Sequence, residues 1–186
     1  KLKNKKIILI LNSPNNPSGA NCNNFEDIAK IAKKYKIIIL SDEIYTELMF
    51  NREYKSISKF YPEGTIISSG LSKWCGAGGW RLGFFAIPST LEPILKILKI
   101  LASESFTAVS TPIQHAAIEA FQGDHSDYLN KTTSILNAVG NYVYENLKSN
   151  NVLIQKPEGG FYLMPEFLES KFKTSGEMCD DILSKS

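Results

Sequence analysis

The sequence predicts an α/β fold with a mostly parallel sheet, followed by part of a smaller α+β unit. Two short apolar, β-branched runs at residues 7–11 and 37–40 flank a stretch with helical spacing. Both runs are apolar throughout, the pattern of parallel strands in a βαβ unit buried on both faces. The character of the chain then changes near residues 123–127, where a long amphipathic stretch begins. That change divides residues 1–125 from residues 126–186.

In the first helical stretch Phe25, Ile28, Ala29, Ile31 and Ala32 share one face, and Lys30, Lys33, Lys34 and Lys36 form the opposite, solvated one. Residues 65–68 read as another buried strand, and residues 82–87 as one more after a glycine-rich turn. Residues 91–103 are helical by spacing, as are residues 111–121, where Pro112 falls in the first turn and is tolerated. A long helix over residues 127–149 carries the stripe Tyr128, Leu129, Thr132, Ile135, Leu136, Val139, Tyr142, Val143 and Leu147. Residues 152–154 and 160–164 could pair as a β-hairpin across Pro157-Glu158-Gly159, and residues 178–183 begin a last helix.

Composition narrows the function classes. The 186 residues fit one large domain, or one domain and part of another, with 43% apolar content to build a core. A net charge of +2 is too small to argue for nucleic acid or an anionic membrane. No apolar stretch approaches the roughly 20 residues of a membrane span. Residues 1–11 imitate a signal peptide, but the apolar run is short and Asn12-Ser13-Pro14 follows without a small-residue cleavage site. Cys22, Cys75 and Cys179 lack CxxC pairing and suit a reducing compartment, so a cytoplasmic protein is expected. His115 and His125 lack metal-ligand spacing and are expected in packing or on the surface.

Polar side chains cluster just past the C-terminal ends of the predicted strands, the edge where open α/β sheets bind ligands. The first segment, Asn12-Ser13-Pro14-Asn15-Asn16-Pro17-Ser18-Gly19, has prolines that fix φ and a glycine open to conformations closed to other residues. It could present the Asn16 amide at a set angle, or be only a loop. The second, Ser41-Asp42-Glu43-Ile44-Tyr45, ends a buried strand on a carboxylate that needs a positive partner. A protonated pyridine nitrogen would serve Asp42, and Tyr45 can return to the same place; the plainer alternative is that Ser41 or Asp42 caps a helix. The third, residues 68–83, offers Ser72 and Lys73 together and reaches Arg81 after a run of glycines. Arg81 supplies a fork suited to a phosphate, and Lys73 beside apolar surface could attack an aldehyde.

Asn16-Pro17-Ser18-Gly19, Asp42-Glu43-Ile44-Tyr45, and Ser72-Lys73 with Arg81 beyond them resemble the fold-type I, class I/II aminotransferases in order, spacing and strand context. Pro157-Glu158-Gly159-Gly160-Phe161-Tyr162 matches more loosely. The resemblance implies the C-terminal part of a large pyridoxal-phosphate-binding domain, a parallel sheet with helices on both faces, followed by part of a small domain. It implies pyridoxal 5'-phosphate as cofactor and an amino acid and a 2-oxo acid as substrates. It further implies that Lys73 forms the Schiff base and moves the proton, and that Asp42 pairs with the pyridine nitrogen. Tyr45 and Asn16 would bond the phenolic oxygen, and Ser72 and Arg81 the phosphate.

Relatives often carry a phosphate-binding serine where this chain has Gly70, and Ser69 is the candidate substitute; a threonine is replaced by Gly78. Cys75, near Lys73, is expected to be a small buried residue. Relatives are longer, and form homodimers with shared active sites. They draw a phosphate-cupping helix and a stacking aromatic ring from an N-terminal half, and a carboxylate-binding arginine from late in the chain. Here the only arginine besides Arg81 is Arg52, in the expected surface turn Phe50-Asn51-Arg52-Glu53. The chain also begins without Met, so a fragment lacking both ends is expected, a poor catalyst that holds cofactor weakly when isolated. Alternatives on the same residues are a C–S lyase or cyclase, or an aminotransferase-like sensor domain of a transcription regulator.

Overall fold

Lysines and acids on one side of residues 25–35 and small apolar residues on the other make an amphipathic helix, α1 (Phe25–Tyr35). Glu26 and Asp27 in its first turn and Lys33 and Lys34 in its last suit the helix dipole. It ends where Lys36 turns left-handed, at φ 52°, and gives its N–H to the carbonyls of Ala32 and Lys33. In the computed structural model, which describes residues 5–50 and 54–185, α1 connects β1 (Ile8–Asn12) to β2 (Ile38–Asp42). The expected turn around Arg52 lies outside the described residues.

β1, β2 and β3 (Thr65–Gly70) are parallel neighbours, and β4 (Gly83–Ala86) closes the row antiparallel to β3. Phe25, Ala29 and Ala32 of α1 pack with Ile39, Ile57 and Tyr61 in one core, with Leu11 and Ile28 beside it. Ile39 is wholly buried there. Ile31, assigned by spacing to the inner face, is 55% exposed. It lies off the line through 25, 28, 29 and 32, which is as much width as the sheet covers.

The sheet is less enclosed than its apolar strands imply. Ile8 and Ile10 of β1 are 63% and 69% exposed, and all of β4 is exposed. β1 and β4 are the edges of the described sheet, and alternation turns Ile8 and Ile10 away from the face that α1 covers.

α2 (Glu92–Ser105), α3 (Thr111–Gln122) and α4 (Ser126–Leu147) follow. The stripe expected on α4 splits in two. Leu129 and Leu136 pack on a second core of Tyr45, Leu48, Leu71, Trp74 and Ala117. Tyr128, Ile135, Val139 and Tyr142 form an exposed ridge, Tyr142 at 71%. Beyond α4, β5 (Val152–Leu153) pairs with β6 (Glu166–Phe167), and α5 (Ser175–Lys185) follows. The hairpin therefore closes on residues 166–167, not 160–164. Residues 157–162 instead form a strap drawn back to the sheet: the N–H groups of Phe50, Glu158 and Gly160 donate to the carbonyls of Glu158, Gly19 and Leu48 at 3.1, 2.9 and 3.0 Å. No described helix is long and apolar enough to cross a membrane.

Truncating Ile39 tests the first core. Ile39→Val should cost about 0.5–1.5 kcal/mol and Ile39→Ala about 2–5 kcal/mol by denaturant unfolding. Equal, small losses for both would remove Ile39 from the core.

Candidate active site

Parallel pairing in register puts Asn12, Asp42 and Ser68 side by side on one face at the C-terminal ends of β1, β2 and β3. Asn12 Nδ2 donates to Asp42 Oδ2 at 3.3 Å, and Ser68 Oγ donates to Asp42 Oδ1 at 3.2 Å. The carboxylate is thus oriented from both neighbouring strands. Among the described residues it has no ion-pair partner. Neither Ser41 nor Asp42 caps a helix: the 3₁₀ turn Thr46–Leu48 has no side-chain cap, and Ser41 Oγ donates instead to buried Glu43 at 2.9 Å.

Asn12 also organises the next loop, its Oδ1 accepting the backbone N–H of Asn16 at 2.8 Å. Ser13, buried, bonds Asn21 Oδ1 at 2.7 Å and the Cys22 N–H at 3.0 Å. The loop turns back at Gly19, whose φ of 69° is strained for other residues. A Cβ there would also lie 2.6 Å from the Tyr162 carbonyl oxygen. Glycine is needed because the strap lies directly on it.

Tyr45 follows Asp42 by a short turn and is only 3% exposed. Its hydroxyl is 2.9 Å from that of Tyr162, which also accepts Asn16 Nδ2 at 3.3 Å. The rings of Phe161 and Tyr162 meet the Tyr45 ring edge-on, each with centroids 5.6 Å away. Burial first, then the Tyr162 hydroxyl, push the Tyr45 phenol above the ordinary tyrosine range, so it remains a proton donor.

Lys73 leaves β3 through a turn whose flanking residues, Leu71 and Trp74, are both buried. Trp74 packs near Phe121 and His125, the packing role expected of that histidine. With its neighbours anchored in the second core, Lys73 extends towards the strap. Its Nζ lies 5.7 Å from the Tyr45 ring centroid and 5.8 Å from that of Phe161. Among the described residues it has no ion-pair partner either. Cys75, half-buried, donates its thiol to the Leu71 carbonyl at 3.0 Å.

The remaining candidates are placed less tightly. Ser72 is half-buried, and Arg81 is exposed at φ 58° with Nη1 donating to the Gly78 carbonyl at 2.6 Å. No described hydrogen bond joins Ser72 to Arg81. Gly70 cannot be replaced in place by a larger residue, because a Cβ would lie 2.5 Å from the Leu82 carbonyl oxygen. Ser69, the candidate substitute, is placed elsewhere than Ser68. Alternation turns it to the face opposite Ser68, where it lines a hollow of about 400 Å³ with Ile67, Trp74 and Phe84.

The donor set fits pyridoxal 5'-phosphate. It comprises a carboxylate and an amine that have no ion-pair partners among the described residues, with phenol and amide donors on adjoining loops. Sequence reasoning missed Asn12, Ser68 and Tyr162. Asn12 and Ser68 could have been found from their position at the ends of apolar runs; the approach of Tyr162 has no local signal.

The family model of aminotransferase class I and II matches residues 1–184. An aspartate aminotransferase of Bacillus sp. (strain YM-2) is 35% identical over 190 residues, covering 98% of this chain and 47% of that protein. A probable N-acetyl-LL-diaminopimelate aminotransferase of Bacillus subtilis is 34% identical, over 84% of this chain and 39% of that protein. The solved alanine aminotransferase of Pyrococcus furiosus superposes with a TM-score of 0.86 at 32% identity, over 95% of this chain and 46% of that one. The chain thus spans about half the length of the curated relatives it matches.

A second buried phenol gives this region a pH signature. Tyr54 packs edge-on to Phe25, its hydroxyl is buried, and burial followed by the Glu43 charge pushes it above the ordinary range. The folded chain keeps protons on Tyr45 and Tyr54 that the unfolded chain releases above about pH 10. Stability should be level below that pH and fall above it, with each group adding a slope approaching about 1.4 kcal/mol per pH unit. Urea midpoints measured across this range should flatten in Tyr54→Phe; an unchanged slope would contradict the assignment.

Proposed function

We propose an activity from the family: the chain belongs to aminotransferase class I and II, and the full-length protein moves an amino group from an amino acid to a 2-oxo acid. The reading rests on one observation above the others. Asp42 at the end of β2 and Lys73 in the turn after β3, opposite charges without ion-pair partners among the described residues, both adjoin Tyr45, which Tyr162 of the strap links to Asn16. Pyridoxal 5'-phosphate, when bound, supplies an aldehyde and a ring that withdraws electrons from the substrate carbon.

Asp42, oriented by Asn12 and Ser68, holds the proton of a ring nitrogen. Lys73 Nζ would hold the cofactor through its aldehyde carbon and, when the substrate amine takes its place there, would be the base for the proton on the substrate Cα. The rings of Tyr45 and Phe161 beside it screen that nitrogen from water. Tyr45, kept protonated by burial, and Asn16 donate to the phenolic oxygen. Ser72 and Arg81 bind the phosphate. Arg81, now bonded to the Gly78 carbonyl, would make charge-assisted bonds to the phosphate, which are stronger.

The matched relatives are named for aspartate, alanine and N-acetyl-LL-diaminopimelate, so amino-group transfer is what they share. We assign residues 1–125 to a partial large domain and residues 126–186 to a partial small one. The full-length protein acts as a homodimer.

With cofactor added, the full-length protein should show an absorption band that borohydride fixes irreversibly on Lys73 in a peptide map. Lys73→Ala should lose it, and Asp42→Ala should lower turnover by about 10²-fold or more. Label on a different lysine would overturn the assignment. Pyruvate and a thiol as products, instead of glutamate and a 2-oxo acid, would select the lyase.

A further inference from the structure

The Asn16–Tyr162–Tyr45 chain of hydrogen bonds is fixed in direction at its Asn16 end. Asn16 Nδ2 can only donate, so the Tyr162 oxygen accepts at 3.3 Å. Between Tyr162 and Tyr45, 2.9 Å apart, either hydroxyl can donate. When a bound acceptor takes the Tyr45 proton, the Tyr162 hydroxyl is the one left to donate to the Tyr45 oxygen. Tyr162 is held for this task. Its carbonyl backs onto Gly19 in the loop of Asn16, and the Gly160 N–H bonds the Leu48 carbonyl in the turn after Tyr45. One strap is therefore tied to both loops whose side chains it joins.

We propose that Tyr162 is a positioning residue for the active site: by donating to the Tyr45 oxygen it aims the Tyr45 proton at the phenolic oxygen of the bound cofactor. This rests on the proposed function. The titratable groups facing Tyr45 are Asp42 from β2, Lys73 and Cys75 from the turn after β3, and Tyr162 from the strap. Changing Tyr162 leaves the other three in place. A donor to the phenolic oxygen favours its ionised form, so a worse-aimed Tyr45 raises the pH midpoint at which the cofactor band titrates.

The test is an absorbance titration of the cofactor-loaded, full-length protein. Tyr162→Phe should raise the midpoint by about 0.4–1 pH unit, the worth of one hydrogen bond. In a Tyr45→Phe background the same change should add less than about 0.3 unit, because the two act as one. Replacing Tyr162 by 3-fluorotyrosine, a better donor of the same shape, should lower the midpoint and guards against loss of folding. An unchanged midpoint in Tyr162→Phe, even with weaker cofactor binding, would make the residue merely structural and overturn the proposal. So would tighter binding with no shift, which would mean that Tyr162 only competes with the cofactor for Asn16 and Tyr45. An equal shift without the Tyr45 hydroxyl would also overturn it. A wild-type protein that forms no band on Lys73 would overturn the proposed function together with this inference.

Discussion

The register of three parallel strands is the constraint on which the rest of the site depends. Asn12 pairs with Asp42 across one ladder and Asp42 with Ser68 across the next, so one row of side chains crosses the sheet edge. Because side chains alternate, a shift of one residue in either ladder would send a donor to the opposite face and leave the Asp42 carboxylate without it. Those donors hold a carboxylate that has no ion-pair partner among the described residues. Asn12 then carries the same order outward, fixing the Asn16 backbone from its other side-chain atom. Strand register thus sets the geometry of a loop bonded to the neighbouring strand only at its first residue, Ser13.

A second tie joins regions far apart in sequence. The strap over residues 157–162 lies between the loop after β1 and the turn after β2, bonded to both. It brings the Phe161 ring over Lys73 and a hydroxyl between Asn16 and Tyr45. Glycine at 19 is what lets the strap come so near. The apolar cover over the amine and the polar contact to the phenol therefore come from the same short segment. Lys73 meets this cover from a turn anchored by buried Leu71 and Trp74.

Much of this was legible in the sequence for physical reasons that can be named. Short β-branched apolar runs favour strands, so 7–11, 37–40 and 65–68 read as strands, and the helical period of 25–35 reads as a helix between the first two. Asp42, Tyr45 and Lys73 stood out because polar groups immediately after buried strands have a limited set of positions. The parts misread have physical reasons too. Ile31 and half the α4 stripe are apolar but lie where no described element reaches, and periodicity shows a face without showing what covers it. Residues 160–164 look like a strand because Phe161 and Tyr162 are β-formers. Their contacts with Tyr45 and the backbone bonds at Leu48 and Gly19 outweigh that local preference.

By itself the sequence determined the α/β alternation, the chemical types at the strand ends, and a match to aminotransferase class I and II over residues 1–184. These are properties of neighbours along the chain, set by hydrophobic period and motif spacing. Only the tertiary structure decided that Ser68, not Ser69, reaches Asp42, because a face is chosen by register and not by composition. Only the tertiary structure set Tyr162 against Tyr45, since their 117-residue separation is closed by packing between distant segments.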